Sequence, residues 1–344
     1  MIQGFRRCSA IEIPRLVRTS GEVMAIEHAS AHALPKPWGV EDLHPWSNAP
    51  HDGNAIGEIW YERAGNAAVI PSLLLKLLFT SQPLSIQVHP DDASAHAMGL
   101  PNGKTEVWYV LSAAPDAKVA LGLTRRLTPQ QLREAIGDGS ISDLVVWRPV
   151  LANDVIFVPA GTIHAIGAGL VIAELQQRSD ATFRLFDYGR NRELDIENAI
   201  AVADAGPAKF QVQPDQLTAE RRLFVSSPHF VFERIDLGPN SSWCLDAERE
   251  TWLLVVGGSA AAGPFDVASG DALFAQSDRV DIRPGASGMV GLVGYTGGSP
   301  VPHLLQRLTQ PGSIDVGRPQ EIQLPTSLNQ AKAAPNNGRL ETVK

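Results

Sequence analysis

Leu84-Ser85-Ile86-Gln87-Val88-His89-Pro90-Asp91-Asp92 is the stretch on which the fold turns. Ser85–His89 alternates as a strand does, so Gln87 and His89, two residues apart, share one face of a sheet. An amide oxygen beside an imidazole starts a metal site rather than a packing pattern. Pro90 closes the strand, and Asp91 or Asp92 can cap a short helix behind it. Further on, Lys104-Thr105-Glu106 and Ala160-Gly161-Thr162-Ile163-His164 each stand at the edge of a strand-like run. Together these stretches offer Gln87, His89, Glu106 and His164 as one donor set.

The flanking sequence is strand-rich. Leu73–Phe79 is apolar and bounded by Pro71 and Pro83, so it is expected as a buried strand. Lys76 inside it either snorkels outward or points into a polar cavity. Lys104–Leu111 is a strand with Lys104 and Glu106 on one face. Trp38 and Trp60, each beside a glycine-containing turn, are core residues or the walls of a pocket. Thr128-Pro129 predicts a helix through Ala135 that ends near Gly137 or Gly139. With a second short helix over Ser142–Val146, it forms a helical insert at about 128–148. Val155–Val158 and Leu170–Gln176 read as strands, Arg178–Arg190 as a polar-dense alternating segment, and 191–206 as helical.

From about 211 the pattern restarts. Glu250-Thr251-Trp252 mirrors Glu106-Val107-Trp108, and Gly270-Asp271-Ala272-Leu273-Phe274 mirrors Asn153-Asp154-Val155-Ile156-Phe157. Asp281 stands at the spacing of His164, and nothing before Glu250 matches Gln87-Val88-His89. This predicts a degenerate duplicate that kept the β-fold and lost the ligand set. The expected organisation is a poorly ordered extension over 1–30, a catalytic barrel over 31–206, a degenerate barrel over 207–310 and a tail over 311–344.

At 344 residues the chain exceeds one average domain. Hydrophobic residues make up 44% and charged residues 19%, with 30 Gly and 25 Pro, a composition of strands and turns. A formal net charge of −8 argues against a broad nucleic-acid surface but allows a local basic pocket for an anionic small molecule. No apolar run reaches about 18 residues, so no membrane span is expected. Arg6, Arg7, Arg15 and Arg18 precede no continuous apolar region, so no secretory signal is read. Cys8 and Cys244 lack metal-motif spacing and disulfide density, which fits a reducing cytoplasm.

Short strands, glycine turns, a His-Pro element and a Pro-x-Gly-x-x-His element suggest jelly-roll (cupin) barrels. Inward strand faces of such a barrel converge, so Gln87, His89, Glu106 and His164 can share one ion. Two imidazole nitrogens, one neutral oxygen and one carboxylate leave a divalent site net positive. Zinc is the first choice, with Mn²⁺ or Fe²⁺ open. The plainer alternative is that His89 and His164 are structural histidines, each satisfied by its neighbours.

Four motifs in order, Gln87–Asp92, Gly103–Glu106, Val158–Gly167 and Gln176–Tyr188, resemble the type I mannose-6-phosphate isomerases in their short bacterial form. The resemblance covers Lys36–Arg190 strongly and 211–310 weakly. It implies Zn²⁺ on Gln87, His89, Glu106 and His164, and active-site lysines at Lys76 and Lys104. It further implies an acidic residue at Glu174, an arginine at Arg184 and Asp180 beside the substrate. The implied reaction interconverts mannose 6-phosphate and fructose 6-phosphate through a cis-enediol. Glu174 or Lys104 is the expected base, and Lys104 beside a cation would have a lowered pKa. Arg184, Lys76 or Arg190 would anchor the phosphate. The implied partner is a small sugar phosphate, with no nucleic acid and no membrane, and the chain a monomer or homodimer. A non-catalytic sugar-phosphate-binding cupin is the alternative. An Fe²⁺ oxygenase fits less well, since that class presents more histidine-rich sets.

Overall fold

The computed structural model describes residues 26–50, 52–64, 70–209, 212–310 and 313–314. Most of the expected extension and tail, together with Cys8, lies outside the described residues. Ile26–His28, within the stretch expected to be a loose extension, pairs as a strand with Ala272–Ala275. Among the described residues no helix is long and apolar enough to cross a membrane.

The first barrel is a pair of antiparallel sheets. Six strands run in the order Ser30–Val40, Ile56–Glu62, Leu73–Thr80, Leu170–Gln177, Glu106–Ala113 and Val155–Val158. Five more run in the order Phe183–Phe186, Ile86–Val88, His164–Ile166, Lys118–Leu123 and Val145–Pro149. Leu78, Trp108, Val110, Val119, Ile166 and Ile172 fill part of the space between them. The helical insert closes the far side of the five-stranded sheet. Its main helix, Pro129–Gly137, opens on a Thr128–Gln131 capping box and packs Leu132 and Ile136 against Ile86 and Val88. The second helix is Ile141–Leu144, and Val145 already belongs to the next strand, shorter than the expected Ser142–Val146. Ile196–Val202 is the helical core of the 191–206 segment.

The second unit is an 11-stranded sheet, counting Ile26–His28, curled around its own apolar interior. Asp278–Thr296, 19 residues long, pairs with Trp243–Ala247 along its first part and with Phe230–Leu237 along its last, which wraps the sheet. Leu253, Val255, Leu273 and Val293 face that interior. The opposite faces of Trp252, Leu254, Phe274 and Leu292 meet Leu73, Leu75, Leu77 and Phe79 of the first barrel. Strand alternation thus explains the unbroken apolar run at Leu73–Phe79: odd residues meet the second barrel, even residues the inside of the first. Gly294 lets the sheets come this close, because a Cβ there would lie 2.3 Å from Leu175 Cδ2.

Candidate metal centre and active-site cavity

The same alternation builds the site. Lys76 is inward and 5% exposed, so the cavity reading holds and snorkelling does not. Across the sheet it faces Trp60 on one side and Glu174 on the other, and Glu174 in turn faces Trp108. Gln176 faces Glu106 two residues along. On the opposite sheet His164 pairs with Gln87, which pairs with Arg184.

His89, Glu106 and His164 bring one ligating atom each to within 4.8 Å of one another, and all three are buried. His89 Nδ1 bonds to the Ala181 carbonyl at 2.8 Å and His164 Nδ1 to the Thr162 carbonyl at 2.9 Å. Both Nδ1 atoms are therefore the protonated ones, which leaves each Nε2 an acceptor turned to the same point, with Lys104 Nζ 3.2 Å from that of His89. Those Nε2 atoms lie 3.5 and 3.4 Å from the two Glu106 oxygens. The Gln87 amide nitrogen is 3.3 Å from His164 Nε2 while its oxygen accepts from Ser85 Oγ at 3.0 Å, so the amide has to turn over to present its oxygen to the same point. Neither Glu106 oxygen receives a well-directed hydrogen bond, although Lys104 Nζ approaches Oε2 at 3.1 Å. A buried carboxylate without directed donors, facing two imidazole lone pairs, fits a divalent cation. Burial, then the Lys104 charge, holds His89 well below the usual histidine range. Burial likewise takes His164 down to about 4, so both imidazoles are neutral, as ligation requires.

Turns hold the ligands in register. Gly161, at φ +82°, donates its N–H to the His89 carbonyl at 2.8 Å, tying the His164 turn to the end of the Gln87-His89 strand. The Pro101-Asn102-Gly103 turn folds onto Pro90-Asp91, where a Cβ at Gly103 would lie 2.5 Å from the Asp91 carbonyl carbon. Gly103 N–H donates to Asp92 and Lys104 N–H to the Pro90 carbonyl, at 2.8 and 2.9 Å. Asp91, not Asp92, caps the Asp92–Ala97 helix, which frees Asp92 for this role.

Above the triad opens a cavity of about 280 Å³ lined by Lys36, Trp38, Glu58, Trp60, Lys76, Gln87, Lys104, Glu174, Asp180, Thr182, Arg184 and Arg192. Lys76 Nζ sits 3.4 Å from Glu174 and 4.6 Å from the centre of the Trp60 ring. Trp108 Nε1 donates to the other Glu174 oxygen at 3.0 Å. Burial, then the Glu106 charge, raises the Glu174 pKa, and burial lowers that of Lys76. Lys104 sits among carboxylates. Burial pulls its pKa down, but Glu106 and Glu174 outweigh burial and hold it above the usual lysine value. Arg184 Nε is buried without a partner, and burial followed by the Arg192 charge lowers its pKa.

All nine sequence-predicted site residues belong to this cavity or the metal group at its floor. Asp180 is the exposed one, at the rim. Arg190 does not line it; its guanidinium is taken up by Asp187 and the Pro83 carbonyl, at 2.9 and 2.8 Å. Trp38 and Trp60 are walls rather than core alone. Glu58 and Arg192 do line the cavity and were not singled out. Trp60 Nε1 donates to Glu58 at 2.7 Å and Lys36 reaches its other oxygen at 3.4 Å. The inward alternation Glu58, Trp60 was the available signal for Glu58. Arg192 lies in a non-repetitive segment with no such signal.

Fold and site define a two-barrel cupin whose first barrel can hold a metal ion beneath a polar cavity. No protein-family model matches the chain. A mannose-6-phosphate isomerase from Streptococcus mutans is 39% identical over 229 residues, which covers 62% of this chain and 67% of that one. The isomerase ManA of Bacillus subtilis is 34% identical over 184 residues, 49% of this chain and 58% of its own length. Among solved structures, the Bacillus subtilis mannose 6-phosphate isomerase superposes with a TM-score of 0.71 at 23% identity, covering 79% of this chain and all (100%) of that one. A Salmonella typhimurium phosphomannose isomerase does so with a TM-score of 0.64 at 14% identity, over 79% and 100%. These two establish the fold. The sequence relatives establish the rest: the chain belongs to the mannose-6-phosphate isomerase family.

Proposed function

We propose that the protein interconverts D-mannose 6-phosphate and D-fructose 6-phosphate through a cis-enediol, with one zinc ion on Gln87, His89, Glu106 and His164. The observation that carries this reading is Glu174. It is a buried carboxylate of raised pKa, paired with Lys76 on the wall above the metal group. A binding protein has no need of such a group, whereas an isomerase needs a base whose pKa lies closer to neutral. The metal-polarised C1 and C2 oxygens would be the source of C2–H acidity.

Glu174 takes the proton from C2 and returns it to C1. Lys76 and Trp108 Nε1 hold its two oxygens, so the carboxylate does not turn away. Lys104, 3.1 Å from Glu106 Oε2, donates to the oxygen on which negative charge develops. Arg184 turns an unpartnered buried Nε toward the cavity, and with Arg192 and Lys36 it supplies cationic groups for the phosphate. Asp180 at the rim accepts from a sugar hydroxyl. A phosphorylated hexose is a cytoplasmic substrate, and we place the enzyme there.

The test is turnover of mannose 6-phosphate before chelation, after chelation and after zinc is restored. Activity lost and regained in that order supports reaction and metal together. Folded, zinc-loaded protein that binds the sugar phosphate and does not turn it over would instead identify a sensor.

A further inference from the structure

In the second barrel, Glu250 reaches out of its own sheet and into the first barrel. It is 6% exposed, and its two carboxylate oxygens accept the backbone N–H groups of Ser72 at 2.6 Å and Leu73 at 2.7 Å. Its own carbonyl is held by the Thr296 N–H at 3.1 Å, so the side chain projects from a fixed base. Leu73 begins the strand that carries Lys76, and Ser72 leads into it. Pairing of this strand with Ile56–Glu62 runs from Glu58↔Leu78 to Tyr61↔Leu75 and stops short of Leu73. Glu250 takes up the amides where that ladder has ended.

We propose that Glu250 is a positioning residue, a carboxylate clamp through which the second barrel sets the placement of Lys76 against Glu174. Lys76 lies three residues, about 10 Å, along the strand from Leu73. The odd residues between pack on the second barrel, so the strand is located from that side and Glu250 is its polar anchor. Charged acceptors make shorter and stronger bonds to backbone N–H than neutral ones, and a small displacement of a reacting pair costs rate out of proportion to its size. The sequence gives Glu250 the look of a relic of Glu106. Strand pairing shows otherwise. Trp108 faces Ile156 in the first barrel and Leu253 faces Leu273 in the second, so Thr251, not Glu250, stands where Glu106 does. Glu250 is thus one residue out of phase with the ligand position and free for a different task.

The role rests on the isomerase reading, and the experiment separates the two. Glu250→Gln keeps shape and removes one acceptor; Glu250→Ala removes both. In the zinc-loaded full chain, Glu250→Gln is expected to lower kcat about fivefold while KM stays within about twofold. In a Lys76→Met background the same change is expected to have no further effect on kcat. Independently of turnover, the Lys76 ¹³Cε resonance, assigned by its loss in Lys76→Met, is expected to shift in Glu250→Gln. An unmoved resonance overturns the clamp, as does an equal fall in kcat with and without Lys76. A shifted resonance in a protein that never turns over mannose 6-phosphate keeps the clamp and rejects the isomerase.

Discussion

In the first barrel Glu106 and Trp108 point inward, one onto the two histidines and the other onto Glu174. In the second barrel Glu250 and Trp252, bearing the same Glu-x-Trp pattern, point outward into the seam between the barrels. A strand has a period of two, so a shift of one residue exchanges its faces completely. The first interior is consequently polar at one end, with Lys76, Lys104, Glu106 and Glu174 all buried. The second is largely apolar, and its charged pair is closed: Arg221 meets Glu233 at 2.8 Å, and Tyr295 Oη donates to the same carboxylate. One barrel leaves carboxylate oxygens open for an ion; the other leaves none open in its Glu233 group. Chemistry and support are divided between two copies of one architecture.

Substitutions can test that division. Glu106→Ala should empty the metal group and lower kcat by at least roughly 10³-fold, read by metal content and turnover together. A variant that keeps its zinc would remove Glu106 from the ligand set. In the second barrel, Glu233→Gln should leave the turnover of folded molecules alone. It should cost roughly 3–5 kcal/mol in denaturant unfolding, because it breaks a buried pair on one side. Loss of activity without loss of stability would give that barrel a catalytic share it is not assigned here.

Acid should also separate the two. His164, held near 4 in the folded protein, prefers its neutral form there and a value near the ordinary 6.5 when unfolded. Its contribution is therefore present above about pH 6.5 and is lost as pH falls toward 4, an effect of roughly 3 kcal/mol in chelated protein. His89, also depressed, adds in the same direction. Denaturation of the chelated protein at neutral and acid pH measures it, and a flat response would deny the histidines their buried neutral state. Last and smallest, Thr251→Val, at the position matching Glu106, should change neither metal content nor turnover and cost less than about 1 kcal/mol.

Much of the site was legible along the chain because strands alternate. The spacing of Gln87 and His89, and of Lys104 and Glu106, put each pair on one face before any fold was known. The Pro-Ala-Gly turn placed His164, since only a residue without a Cβ takes the φ of Gly161 without strain. Arg192 was not legible, because it lies in an irregular segment where spacing carries no directional meaning. The raised pKa that the protein's own charges give Lys104 was not legible either, since the carboxylates around it come from three different strands.

The sequence by itself pointed to two β-barrels, to His89, Glu106 and His164 as a group that could hold an ion, and to the strands and turns that carry them, because those properties follow from local periodicity and residue chemistry. Tertiary structure alone decided that Asp187 holds both Arg190 and Arg192, that Arg192 lines the cavity while Arg190 does not, and that Glu250 serves the neighbouring barrel. Those outcomes depend on which surfaces cover one another and on which strand stands opposite which. A chain with a period of two does not announce its phase until another sheet is packed against it.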